Sequence, residues 1–140
     1  MNSGEVYFAL RGTSLDPSAV TCALGIAPTR TLVKSEPQPK ISTWELSAGK
    51  VSGHVVDVYR LSDDLVGMLA THAATIREVA KRQRADVVLQ VVLTISLDER
   101  ISTPAIGFSE AVISFLASVG ASIDIDTYRG AVQLCVQADR

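Results

Sequence analysis

The sequence predicts an α+β fold: a mainly antiparallel sheet with its helices on one face. Three observations carry that prediction. Glu5–Arg11 and Val87–Leu97 alternate apolar and polar side chains, the period of a half-buried strand. Apolar residues recur at helical spacing in two other stretches, Leu61, Leu65, Met68, Leu69, Ile76, Val79 and Ala80 in one and Val112, Phe115, Leu116 and Val119 in the other. Cap and turn residues punctuate the chain where each pattern changes. The 140 residues are 47% hydrophobic, with a mean hydropathy of +0.26. That suits one domain spanning 1–140 with a sizeable core and excludes a disordered chain.

The elements follow in order. In the first strand Val6, Phe8 and Leu10 share one face and Tyr7, Ala9 and Arg11 the other. Asp16-Pro17 opens a helix, with Asp16 as N-cap and Pro17 in the first turn, and Gly25 closes it. Thr29–Lys34 is a short strand and Ser35–Lys40 a loop, because Pro37 and Pro39 remove ladder donors. Ile41–Leu46 is the next strand, Ser47–Gly53 a small polar loop, and His54–Tyr59 an edge strand. Asp63–Arg84 is a long helix with Ser62 as N-cap and basic residues in its last turn, where the helix dipole favours them. Val87–Leu97 is a central strand, because Val88 and Val92 make its second face half apolar. Ser109 caps a third helix that ends at Gly120, and Ile123–Tyr128 is a strand with Ile123 and Ile125 inward. Ala131–Gln137 forms a last strand after a turn at Gly130. The leading elements match the ferredoxin-like βαββαβ order, followed by an αβ(β) extension.

Composition removes several functions. Thirteen Lys and Arg against 15 Asp and Glu give a net charge of −2, without the basic patch that nucleic acid requires. The longest apolar stretch, Val87–Leu97, is interrupted by Gln90, Thr94 and Ser96 and is too short for a membrane span. Met1–Val6 has neither a basic nor an apolar leader, so the expected setting is the reducing cytoplasm. Cys22 and Cys135 form no CxxC pair and are expected to be small buried or half-buried residues.

No Walker loop, GxGxxG or GxSxG motif occurs. His54 and His72 have no Cys, Asp or Glu at ligand spacing, so neither a metal nor another cofactor is expected. His72, within the apolar stripe, is expected to be a core or interface residue. Three constellations remain. Asp124 and Asp126 share a strand face at about 7 Å and suit either a cation or pairing with Arg11, Arg30 or Arg129. Arg30, Lys34 and Trp44 flank the proline loop and suit either an acidic group or a core indole with basic neighbours. The outward residues Tyr7, Ala9, Val88, Val92 and Tyr128 form a semi-apolar face to be covered either by a second copy or another protein, or by the chain's own His54–Tyr59 region or tail.

Several segments together resemble a known family. They are Tyr7-Phe8-Ala9-Leu10-Arg11-Gly12, Leu15-Asp16-Pro17, Leu24-Gly25-Ile26-Ala27-Pro28-Thr29-Arg30, Trp44, the run from Phe108-Ser109-Glu110 to Ala121, and Ile123-Asp124-Ile125-Asp126-Thr127-Tyr128. The chain resembles, over about residues 5–129, the bacterial domain of unknown function 4279. The resemblance implies a small bacterial cytoplasmic α+β domain without an established activity, and an immunity-like, partner-binding role. It marks Arg30, Trp44, Asp124 and Asp126 as characteristic positions.

The leading expectation is a non-enzymatic protein-interaction module acting as a homodimer, with Tyr7, Ala9, Val88 and Val92 at the interface. The alternative is a small-ligand or cation binder, or an enzyme, using Arg30, Lys34, Trp44, Asp124, Asp126 and Tyr128. Neither reading involves nucleic acid, membrane or cofactor.

Overall fold

The computed structural model describes residues 1–130 of the chain. The strand expected at Ala131–Gln137, and Cys135, lie outside them. Five strands, β1 (Asn2–Gly12), β2 (Arg30–Leu32), β3 (Ser42–Gly53), β4 (Asp86–Ile95) and β5 (Ser122–Arg129), form one sheet in the order β2-β3-β1-β4-β5. All neighbours are antiparallel except β4 and β5, which are parallel. The helices are α1 (Pro17–Leu24), α2 (Val58–Leu69), α3 (Ala73–Gln83) and α4 (Glu110–Val119), with a 3₁₀ turn at Ala70–His72 between α2 and α3.

Strand alternation decides where the core lies. Val6, Phe8 and Leu10 of β1, Trp44 and Leu46 of β3, and Val87, Leu89, Val91 and Leu93 of β4 are buried together with the inward residues of all four helices. The fold is therefore α+β, a mostly antiparallel sheet with its helices on one face. Helix α2 packs on β1 and β3, while α3 lies against α1 and α4. The rings of Phe8 and Phe115 meet at 5.8 Å between centroids, tying α4 to the centre of the sheet.

Several ends match the sequence signals. Asp16 caps α1 by accepting from Ser18 N, Ser109 caps α4 by accepting from Val112 N, and Gly25 and Gly120 close those helices in the left-handed region at φ 66° and 70°.

Other expectations are corrected. Ser47–Gly53 continues β3 rather than forming a loop. Ala48 and Gly49 together oppose the single residue Val6, a β-bulge that Gly49 permits by adopting φ 101°. His54–Tyr59 is not an edge strand: its end is the first turn of α2, capped by Asp57, whose carboxylate accepts from Arg60 N at 3.1 Å. Val58 belongs to the same stripe as Leu61, Leu65 and Leu69, so burial in the core outweighs its β-branched preference. Ser62 is consequently inside the helix and buried, its hydroxyl donating to the Val58 and Tyr59 carbonyls.

The single helix expected over 63–84 is broken at the 3₁₀ turn. Met68 is exposed, and His72 is half-buried at the start of α3. Cys22 is also exposed, because α1 turns Val20 and Leu24 inward and Cys22 falls on the opposite side. Ile123 and Ile125 lie in register with Leu89 and Val91 but remain 39% and 40% exposed, since β5 extends past the helix layer.

Two buried polar contacts anchor the ends of the fold. Asn2, fully buried, accepts from Ser96 N and donates to the carbonyls of Ser102 and His54, tying three connections to the start of β1. Trp44, also fully buried, donates from Nε1 to Thr21 Oγ1 at 3.0 Å, which docks α1 on β3. Thr21→Val keeps the volume but leaves that indole N–H without an acceptor. The expected cost is about 1–3 kcal/mol in urea unfolding, from the unsatisfied buried donor.

Candidate functional site

The second face of the sheet carries no helix among the described residues. Strand register sorts its side chains into rows across β2, β3, β1, β4 and β5. One row is Arg30, Glu45, Ala9, Val88 and Ser122, and the next is Ser47, Tyr7, Gln90 and Asp124. A third is Lys50, Glu5, Val92 and Asp126. Leu32, Thr43, Arg11 and Asp86 flank them at one end, and Ser52, Ser3, Thr94 and Tyr128 at the other.

Most polar groups here bond one another. Arg30 donates from Nε to Glu45 at 2.7 Å and from Nη1 to Glu5 at 2.9 Å, and its guanidinium lies 5.0 Å from the centre of the Tyr7 ring. The bulge brings Ser47 to Glu5, to which its hydroxyl donates. Burial pushes the Glu5 carboxyl up, but the hydrogen bonds from Ser47 and Arg30 outweigh it and hold the group below the ordinary glutamate range. Burial weakens the Arg30 charge less than its two carboxylates strengthen it, so Arg30 holds its proton more firmly than usual. The Tyr7 hydroxyl is raised, by burial first and then by the charge of Glu45.

On the other side of Tyr7, Arg11 donates to Gln90 Oε1 at 3.0 Å, and Gln90 Nε2 donates to Asp126 Oδ2 at 3.1 Å. Among the depressions that open on this face are two beside the central strands. One of about 300 Å³ is lined by Glu5, Lys50, Val92 and Thr94, and one of about 640 Å³ by Arg11, Asp86, Ser122 and Asp124. Neither holds a nucleophile beside a base. Among the described residues, no three His, Cys, Asp or Glu side chains gather to hold a metal ion.

The candidate residues separate. Tyr7, Ala9, Val88 and Val92 do share this face, as do Arg30, Asp124, Asp126 and Tyr128. Arg30 and Asp124 nevertheless stand on opposite edges, four strand spacings or about 19 Å apart. Trp44 points into the core on the other face, and Lys34 is exposed beyond the end of β2. A site built from Arg30, Lys34, Trp44, Asp124 and Asp126 thus has no common centre. Sequence reasoning missed Glu5, Glu45, Ser47 and Gln90. The phase of β1 already sets Glu5 beside Tyr7, but the partners across strands depend on register.

The arrangement is that of a two-layer α+β domain whose second sheet face, bare of helices among the described residues, is bound into a polar network. The chain belongs to the family described as a domain of unknown function, DUF4279, whose model matches residues 2–130. No curated protein matches the chain, and no solved structure does. Among the described residues, no helix is long and apolar enough to cross a membrane.

Arg30→Met strands two partly buried carboxylates. The expected loss is about 1–3 kcal/mol near neutral pH, less than for a fully buried pair because water screens the half-exposed guanidinium. The folded value of Glu5 is depressed, so its stabilisation is complete above the unfolded glutamate value of about 4.3 and disappears as pH falls through the folded value. The gap between wild type and Arg30→Met, read by chemical unfolding from pH 7 to 3, should narrow on the acid side.

Proposed function

We propose that this chain is a non-enzymatic protein-interaction module that acts as a homodimer, its uncovered sheet face forming the contact. The observation that carries this reading is the composition of that face. A central strip of Tyr7, Ala9, Val88 and Val92, in which Ala9 and Val88 are already covered by neighbouring side chains, is bordered by charged side chains that bond one another. Such a surface suits a flat partner with a polar rim better than it suits chemistry on a small molecule. In this reading the domain is bacterial and cytoplasmic, and its biological task is immunity-like: occupying a partner rather than transforming one. The order β2-β3-β1-β4, with a helical connection skipping one strand on each side, supports a ferredoxin-like core to which α4 and β5 are added.

Val92→Arg places a cation in the strip, beside Glu5 on the neighbouring strand. Wild type is expected at twice 14.9 kDa in native mass spectrometry, and Val92→Arg at the single mass. A wild-type chain that stays single at high concentration overturns self-association.

A further inference from the structure

We infer that the sheet faces of two copies pack against each other about a two-fold axis that runs parallel to the strands, between β1 and β4. The inference rests on the self-association proposed above and specifies its geometry. Rotation about such an axis keeps each row in place and reverses the strand order, so β3 lies over β5 of the second copy and β1 over β4. Residues of one row then meet across the interface.

The charges on the face fit this operation. Lys50 comes over Asp126 of the other copy, and Arg11 over Asp86, each pair occurring twice. Ala9 comes over Val88, both already covered by the side chains around them. Lys50, Asp86 and Asp126 are exposed and form no ion pair among the described residues, although Lys50 stands opposite Glu5, Asp86 opposite Arg11, and Asp126 accepts from Gln90. Glu5 would face Val92, and its charge is already answered by Arg30. Aligned sheets pack about 10 Å apart, a gap that an extended lysine and an aspartate span.

The alternative axis, across the strands, reverses the rows within each strand. With the axis at the Tyr7 row it sets every strand over its own copy: Lys50 then meets Glu45, a carboxylate already held by Arg30, and the acidic β5 opposes itself with Asp124 over Asp124. The charge pattern therefore selects one of the two face-to-face arrangements. Strand spacing and rise give about 500 Å² of face per copy, or about 1,000 Å² in all, the lower end for a specific interface.

A charge swap tests the pairing. Sedimentation equilibrium is run on wild type, Lys50→Glu, Asp126→Lys and the double variant. Each single variant should weaken the dimer at least tenfold, and the double variant should return it to within about threefold of wild type. Because Asp126 accepts from Gln90 and Lys50 stands opposite Glu5, thermal melting checks that each variant still folds. Zero-length carbodiimide coupling of wild type gives a second readout: a Lys50–Asp126 isopeptide in the dimer band. Within one chain these residues stand three strand spacings apart, about 14 Å, beyond such a bond. A wild-type dimer that ignores both single substitutions and yields no such cross-link overturns this geometry while self-association stands. A wild-type chain that is always monomeric overturns both.

Discussion

Each residue of β1 answers to two neighbours at once, and that double registration is the constraint on which the rest of the structure depends. Leu10 stands opposite Trp44 on one side and Val87 on the other, and Phe8 lies between Leu46 and Leu89. A slip of one residue in either ladder would turn a row of core side chains toward solvent, so register is specified by burial rather than by hydrogen bonding alone. The helices follow from this choice. They collect over whichever face β1 makes apolar, with Phe115 meeting Phe8 and Thr21 receiving the indole N–H of Trp44.

The same alternation builds the opposite face, where among the described residues no helix lies and the positions between the core residues are satisfied by one another. Glu5 is nearly buried by its neighbours, and a carboxylate there is tolerable only because Arg30, Ser47 and Glu45 form one bonded group with it. The bulge at Ala48–Gly49 is part of that solution. The additional residue keeps both Ser47 and Lys50 on the Glu5 side of the sheet, where an unbroken strand would have sent one of them into the core. A local irregularity in β3 thus serves a polar group on β1.

Local signals were legible wherever one element's own pattern was decisive. Asp16-Pro17, Ser109, Gly25 and Gly120 announce helix ends because cap chemistry acts within a few residues. The alternation of β1 and β4 is visible because each has one core face along nearly its whole length. Legibility failed where a neighbour supplied the deciding energy. Ser47–Gly53 is small and polar and reads as loop, yet pairing with Asn2–Glu5 makes it strand. Val55–Tyr59 has strand-like composition, yet burial of Val58 beside Leu61 makes its end helical. The break at Ala70–His72 carries neither proline nor a glycine within it, and the turn lets α2 follow the sheet while α3 follows α1 and α4.

Short-range patterns in the sequence suffice for the α+β class, the apolar face of the long strands, several helix caps and membership in a family recognisable from short motifs along the chain. These properties depend on periodicities of two and 3.6 residues and on contacts a few positions apart. The tertiary structure alone decided strand order, the parallel pairing of β4 with β5, and which polar residues meet. Arg30 finds Glu5 across 25 positions, and Arg11 finds Gln90 across 79. It also separated Trp44 from Arg30, neighbours in sequence and on opposite faces of the sheet. The reason is physical: contacts across strands depend on register and topology, and these follow from the burial of the whole core at once.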